Sequence, residues 1–162
     1  MPLPERPGRR PLVSTDHPVE QITQCTPAHL REQLAQMLGA LPGVQLRPSF
    51  VCVPGTLGAH LSPALAHAPA GAFLSATEFG HLHPPYDGSL HLALPQALAS
   101  EVIRNGWGVP AAPSGSVLVY GPRDEQEAAV ARGLLLASYR YACAWEPPVD
   151  DAGEPGPIMS AT

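Results

Sequence analysis

No lysine occurs anywhere in this 162-residue chain, so every permanently basic side chain is one of nine arginines. Asp and Glu outnumber them at 14, for a net charge of −5. Nucleic-acid surfaces need clustered cations, so a nucleic-acid partner is excluded. Charged residues are only 14% of the chain, against about a quarter in typical proteins. No stretch approaches the roughly 18 consecutive apolar residues of a transmembrane helix, which argues against a membrane partner. The segment Met1–Pro11 has Arg and Pro but no continuous apolar run, unlike a signal peptide, and the expected location is the cytoplasm. Cysteine is scarce: Cys25, Cys52 and Cys143 form no CxxC pair and suit neither a metal knuckle nor a disulfide scaffold. They read as small packing residues, with Cys52 inside a strand-like apolar run, Phe50–Val53. There is no GxSxG elbow, no GxxxxGK phosphate loop and no Rossmann glycine fingerprint, so neither a flavin nor a nicotinamide motif is present.

What the chain does have is 15 glycines and 21 prolines. Residues 1–24 hold five prolines and few large apolar groups, a composition that predicts a disordered tail. Residues 146–162, with Glu146, Asp150, Asp151 and Glu154, read as a disordered acidic tail. A single domain is expected over 25–145. Thr26-Pro27 marks a helix start, with Thr26 as the cap and Leu30, Leu34, Met37, Leu38 and Leu41 at helical spacing. Residues 56–70 lack a clean period and read as loop. Phe73–Leu94 reads as a β-hairpin around Pro84-Pro85-Tyr86-Asp87-Gly88, and Leu90, Leu92 and Leu94 share one face. A helix follows Pro95 and stops at Gly106-Trp107-Gly108. Ser116–Tyr120 is a strand, and Pro122-Arg123-Asp124-Glu125 opens a last helix running to about Ala144. The expected fold is α+β: a small antiparallel sheet with a central hairpin and helices packed on one face.

Three of the seven histidines fall in the hairpin: His81, His83 and His91. Side chains two apart on a strand share a face, and His91 lies across the turn from His81 or His83. Three converging imidazoles would bind a divalent metal (Fe, Zn or Cu) and leave a position open. Glu78 is three residues before His81, on the opposite face of a regular strand. A bulge at Gly80 would turn it onto the histidine face as a ligand, an orienting partner or a general base. Tyr86 and Trp107 are the expected pocket walls, and Arg123 would bind an anion if it faced the hairpin. His60 and His67 flank a loop and could join the site; His17 and His29 read as surface residues.

The run Thr77-Glu78-Phe79-Gly80-His81-Leu82-His83-Pro84, then Asp87-Gly88-Ser89-Leu90-His91-Leu92 and Leu94-Pro95, resembles the small bacterial luciferase-family domain. Gly106-Trp107-Gly108, Val119-Tyr120-Gly121-Pro122-Arg123-Asp124-Glu125, Ser138-Tyr139 and Tyr141-Ala142 extend the resemblance over about residues 45–143. The chain departs from that family after Trp107, where Gly108-Val109-Pro110 supplies neither the acid nor the Pro-His of relatives. The resemblance singles out Glu78, His81, His83, Asp87 and His91 and implies oxygen-related or small-molecule chemistry. It does not imply the TIM barrel of flavin-dependent luciferases, which needs about 250 residues.

The leading expectation is therefore a small-molecule-binding or oxidoreductase-type domain, with metal ligands His81, His83 and His91. The alternative is a non-catalytic binding module, an accessory subunit with a protein partner, whose histidines only secure the hairpin. In the first case the rings point into one cleft; in the second they splay apart or bond backbone carbonyls.

Overall fold

A computed structural model describes residues 2–145. The acidic segment 146–162 lies outside the described residues. Three α-helices and six strands follow in the order α1 (Ala28–Ala40), β1 (Val44–Pro48), β2 (Leu57–Leu61), β3 (Glu78–Leu82), β4 (Leu90–Ala93), α2 (Gln96–Arg104), β5 (Gly108–Ala111), β6 (Ser116–Val119) and α3 (Glu125–Ala142). The strands form one antiparallel sheet in the order β1-β2-β3-β4-β6-β5, so the β3–β4 hairpin is central. Among the described residues no helix is long and apolar enough to cross a membrane.

The alternation Leu90-His91-Leu92 splits the sheet into two chemically different faces. Leu90, Leu92, Val117 and Val119 join Leu34, Leu38, Leu134 and Leu135 in one apolar core, which places the helices on the leucine face. Each fully buried leucine contributes roughly 1.5–3 kcal/mol, so this layer dominates the stability. At the end of the β3–β4 ladder the Ser138 hydroxyl of α3 reaches the carbonyls of Ala93 at 2.7 Å and Phe79 at 3.1 Å. Asp124 caps α3 by accepting from the Glu127 amide at 2.9 Å.

Three local expectations are corrected. Thr26 does not cap α1; Pro27 holds that position, and the Thr26 hydroxyl donates to Gly88 O at 3.2 Å, a tertiary partner that outcompetes the local one. Phe50–Val53 is the loop between β1 and β2 rather than a strand, and β2 lies where the sequence has no period, because both its faces are covered. Residues 2–24, expected to be disordered, lie against the domain. Arg6 is buried, with Nη2 3.6 Å from Glu127, and the Trp107 indole donates to Pro4 O at 2.5 Å. Composition counts apolar side chains and misses such polar anchors.

Candidate functional site

The histidine face is built around the register of the hairpin. His81 pairs directly with His91, flanked by the Gly80–Leu92 and Leu82–Leu90 pairs. On the other side of β3 the ladder pairs Gly80 with Ala59 but Glu78 with His60, so Phe79 is the extra residue of a β-bulge. The bulge turns Glu78 onto the face of His81. Gly58 on β2 leaves room there: a Cβ at that position would lie 2.7 Å from His60 Nε2 and 3.0 Å from Glu78 Oε1.

Three imidazoles cluster as a result. The ring centroids of His81 and His83 are 5.2 Å apart and stacked, and His91 meets His81 edge-on at 4.8 Å. None of the three bonds a backbone carbonyl; their ring partners are side chains. His81 Nδ1 is 3.0 Å from Glu78 Oε1, and His83 Nδ1 is 2.9 Å from Asp87 Oδ2. A carboxylate only accepts, so Nδ1 carries a proton in both rings, and Nε2 is the nitrogen each ring could offer to a ligand. His81 Nε2 is buried and has no hydrogen-bond partner among the described residues. His91 differs, since its Nε2 is 2.8 Å from the Ser116 hydroxyl.

Both carboxylates are fully committed. Glu78 accepts from the Ser49 hydroxyl at 2.6 Å and from the Phe50 amide at 3.1 Å, besides His81. Asp87 accepts from the main-chain amides of Ser89 at 2.8 Å and Gln21 at 3.0 Å. Burial favours the neutral acid at each position. The His81 hydrogen bond at Glu78 and the His83 hydrogen bond at Asp87, with the other donors, outweigh it and hold both below the usual carboxylate range.

By holding Ser49 and Phe50, Glu78 pins the loop that carries Cys52. The donor atoms of Cys52, His81 and His83 all lie within 4.8 Å of one another. This is the group among the described residues whose atoms could hold a metal ion, and His91 is not in it. Sequence reasoning assigned Cys52 to core packing because its run is apolar. The missed signal was Ser49, a hydrogen-bonding residue at the head of that run. Burial pushes the Cys52 thiol up, yet the imidazoles of His81 and His83 bring it down to about 5. Burial lowers His83, but Asp87 and Cys52 raise it to about 9. His91 is driven down to about 3 by burial and by the neighbouring histidines, and stays neutral.

A cleft of about 260 Å³ opens beside this cluster, with His83 and His91 among its lining residues. The other expected site residues lie elsewhere. Tyr86 is exposed, its hydroxyl donating to Glu20, which raises it to about 12. Trp107 is buried in the core on the leucine face. Arg123 folds back onto Glu127, with Nε 3.0 Å from Oε1. His60 is buried against the Phe50 ring at 4.7 Å with Nε2 3.3 Å from Pro48 O, and His67 is exposed.

The hairpin and the elements after it have counterparts in known proteins. Residues 76–138 match the Luciferase domain. Curated proteins named luciferase, from Armillaria gallica, Armillaria mellea and Neonothopanus nambi, are each 37% identical to this chain over 73 residues. That alignment covers 40% of this chain and 27% of each relative, so the chain is matched to about a quarter of their length. No solved structure matches. The expected resemblance to a luciferase-family domain therefore holds, on a narrower stretch than 45–143, and the bacterial origin is not shown by these relatives. Within the Luciferase-domain match lie Glu78, His81, His83, Asp87 and His91; Cys52 lies outside it.

Proposed function

We propose that this domain binds one transition-metal ion through Cys52, His81 and His83 and, with dioxygen as the oxidant that accepts the electrons, oxidises a small organic molecule held in the adjacent cleft. The observation that carries the reading is His81 Nε2, buried without a partner beside the thiol of Cys52 and the second imidazole. An unpartnered buried nitrogen costs about 1–3 kcal/mol. A bound ion would use its lone pair. One thiolate and two imidazoles suit Zn, Cu or Fe, and three protein ligands leave a position open. When bound, such an ion supplies Lewis acidity and, for Cu or Fe, a redox couple.

The remaining roles fall to the protein. Glu78 and Asp87 fix the tautomer and orientation of the two imidazoles, so Glu78 acts as a positioning residue and not as a base. His91 lines the cleft as a neutral imidazole. Support for oxidation over hydrolysis comes from the name of the matched relatives. In the cytoplasm, the proposed location, Cys52 would stay reduced.

Elemental mass spectrometry of untagged protein tests the reading. About one equivalent of metal is expected, lost in His81→Ala/His83→Ala and in Cys52→Ala. Oxygen consumption by the loaded protein with candidate substrates follows. Wild-type protein that takes up no Fe(II), Zn(II) or Cu(II) on reconstitution overturns it.

A second reading draws on the charge states. A Cys52 thiolate beside a His83 imidazolium held by Asp87 is the arrangement of a thiol nucleophile with its base and orienting acid. A burst of p-nitrophenol from p-nitrophenyl acetate in chelator-treated protein, absent in Cys52→Ala, would favour it.

A further inference from the structure

The cleft is not built by the Luciferase-domain match alone. Leu118 and Ala111 line it from the sheet and Val51 from the loop beside Cys52, while Pro18 and Val19 of the N-terminal segment also line it. Among the described residues no arginine, aspartate or glutamate lines it. Among the described residues its hydrogen-bonding side chains are imidazoles. Imidazoles carry no negative charge in any protonation state, so a cation leaving water for such walls loses solvation with nothing in return, whereas an apolar group gains by burial against Val19, Val51 and Leu118. The volume of about 260 Å³ exceeds the roughly 150 Å³ cavity that holds a benzene ring.

The N-terminal wall is anchored to the site itself. Gln21 is buried, and all its polar groups are engaged. Its main-chain amide donates to Asp87 Oδ2 at 3.0 Å, the oxygen that also holds His83 Nδ1. Its Oε1 accepts from the Gly121 amide at 2.8 Å, and its Nε2 donates to Thr23 O at 2.9 Å and Gln24 O at 2.8 Å. Gly121 permits this junction, since a Cβ there would lie 1.9 Å from Thr26 Oγ1. Val19, two residues from Gln21, is thereby held in register with the donor atoms.

We propose that Pro18 and Val19 form the size-setting wall of a pocket for a small, largely apolar organic molecule that carries no positive charge. The inference rests on the reading of the neighbouring donors as a reaction centre and names the class of molecule presented to it.

The test is ¹⁹F NMR titration of the full chain, metal-free and after cobalt(II) addition, with fluorobenzene and 4-fluorobenzylammonium as probes. Fluorobenzene is expected to bind at least tenfold more tightly than 4-fluorobenzylammonium in both forms. Val19→Trp should weaken fluorobenzene at least tenfold with cobalt uptake unchanged. Val19→Ala should shift preference several-fold toward 1-fluoronaphthalene, and this variant keeps the test decisive if Val19→Trp does not fold. Equal or tighter binding of the benzylammonium, no fluorobenzene binding, or unaltered selectivity in the Val19 variants overturns the pocket. Fluorobenzene binding with this selectivity but no cobalt uptake upholds the pocket and sinks the metal centre. Cobalt uptake without fluorobenzene binding does the reverse.

Discussion

His83 donates its Nδ1 proton to Asp87 Oδ2 at 2.9 Å, and both residues are buried. The pair fixes which nitrogen of His83 faces the carboxylate, and Asp87 is held in turn by amides from the hairpin and from the N-terminal segment.

Asp87→Asn keeps the shape and removes the charge. Breaking one side of a buried pair is expected to destabilise the fold by about 3 kcal/mol. Loss of an orienting carboxylate should weaken metal binding by about 10–100-fold. Urea unfolding and competitive cobalt titration measure the two effects separately. Wild-type values in both would show that Asp87 neither orients His83 nor supports the turn.

Gly58→Ala should act at a distance from the ligands. Its methyl would press on His60 Nε2 and on Glu78 Oε1, displacing the group that holds both His81 and the Cys52 loop. A loss of about 1–3 kcal/mol is expected from the crowding. Gly133, in α3, offers a control, since a Cβ there meets nothing within 4 Å. Gly133→Ala should stabilise by roughly 0.5–1 kcal/mol. Thermal melts of the two variants should move in opposite directions.

Cys52 should be the reactive thiol. Its partners bring it to about 5, while burial pushes Cys25 and Cys143 up from their ordinary value. At neutral pH iodoacetamide is expected to label Cys52 about tenfold faster than either. Prior addition of a binding metal should protect it. Peptide mass spectrometry reads all three sites at once, and first labelling at Cys25 would contradict the assignment.

His91 gives a pH signature. Its folded value of about 3 lies below the ordinary 6.5, so between these the folded state binds fewer protons than the unfolded chain. The contribution is fully present above pH 6.5 and is lost as pH falls toward 3. The slope approaches about 1.4 kcal/mol per pH unit. Glu78 and Asp87, held low, keep their contributions above the ordinary carboxylate range. His91→Gln, retaining a partner for Ser116, should therefore flatten the stability profile between about pH 5 and 6.5 relative to wild type. Parallel profiles would place His91 in a wetter setting.

The hairpin was legible because its signals are local. Pro84 to Gly88 dictates a turn, and the Leu90-His91-Leu92 alternation dictates two faces. Once the turn is placed, His91 must face His81 or His83. The helices were equally plain from apolar spacing and from Asp124 at the start of α3. The bulge was readable only in part: it was expected at Gly80, whereas Gly80 keeps its ladder partners and Phe79 is the extra residue.

Cys52, the N-terminal segment and the true positions of Tyr86, Trp107 and Arg123 were decided only in three dimensions. Cys52 reaches the histidines because Glu78 grips its loop across the sheet, a contact 28 residues apart in sequence. The segment 2–24 is ordered by single buried polar groups, Arg6 against Glu127 and Gln21 against Asp87, which no periodicity reports. The sequence by itself determined an α+β hairpin domain and the face on which its histidines meet. The tertiary structure decided which three donors converge, because convergence depends on hydrogen bonds between segments whose spacing in the chain carries no pattern.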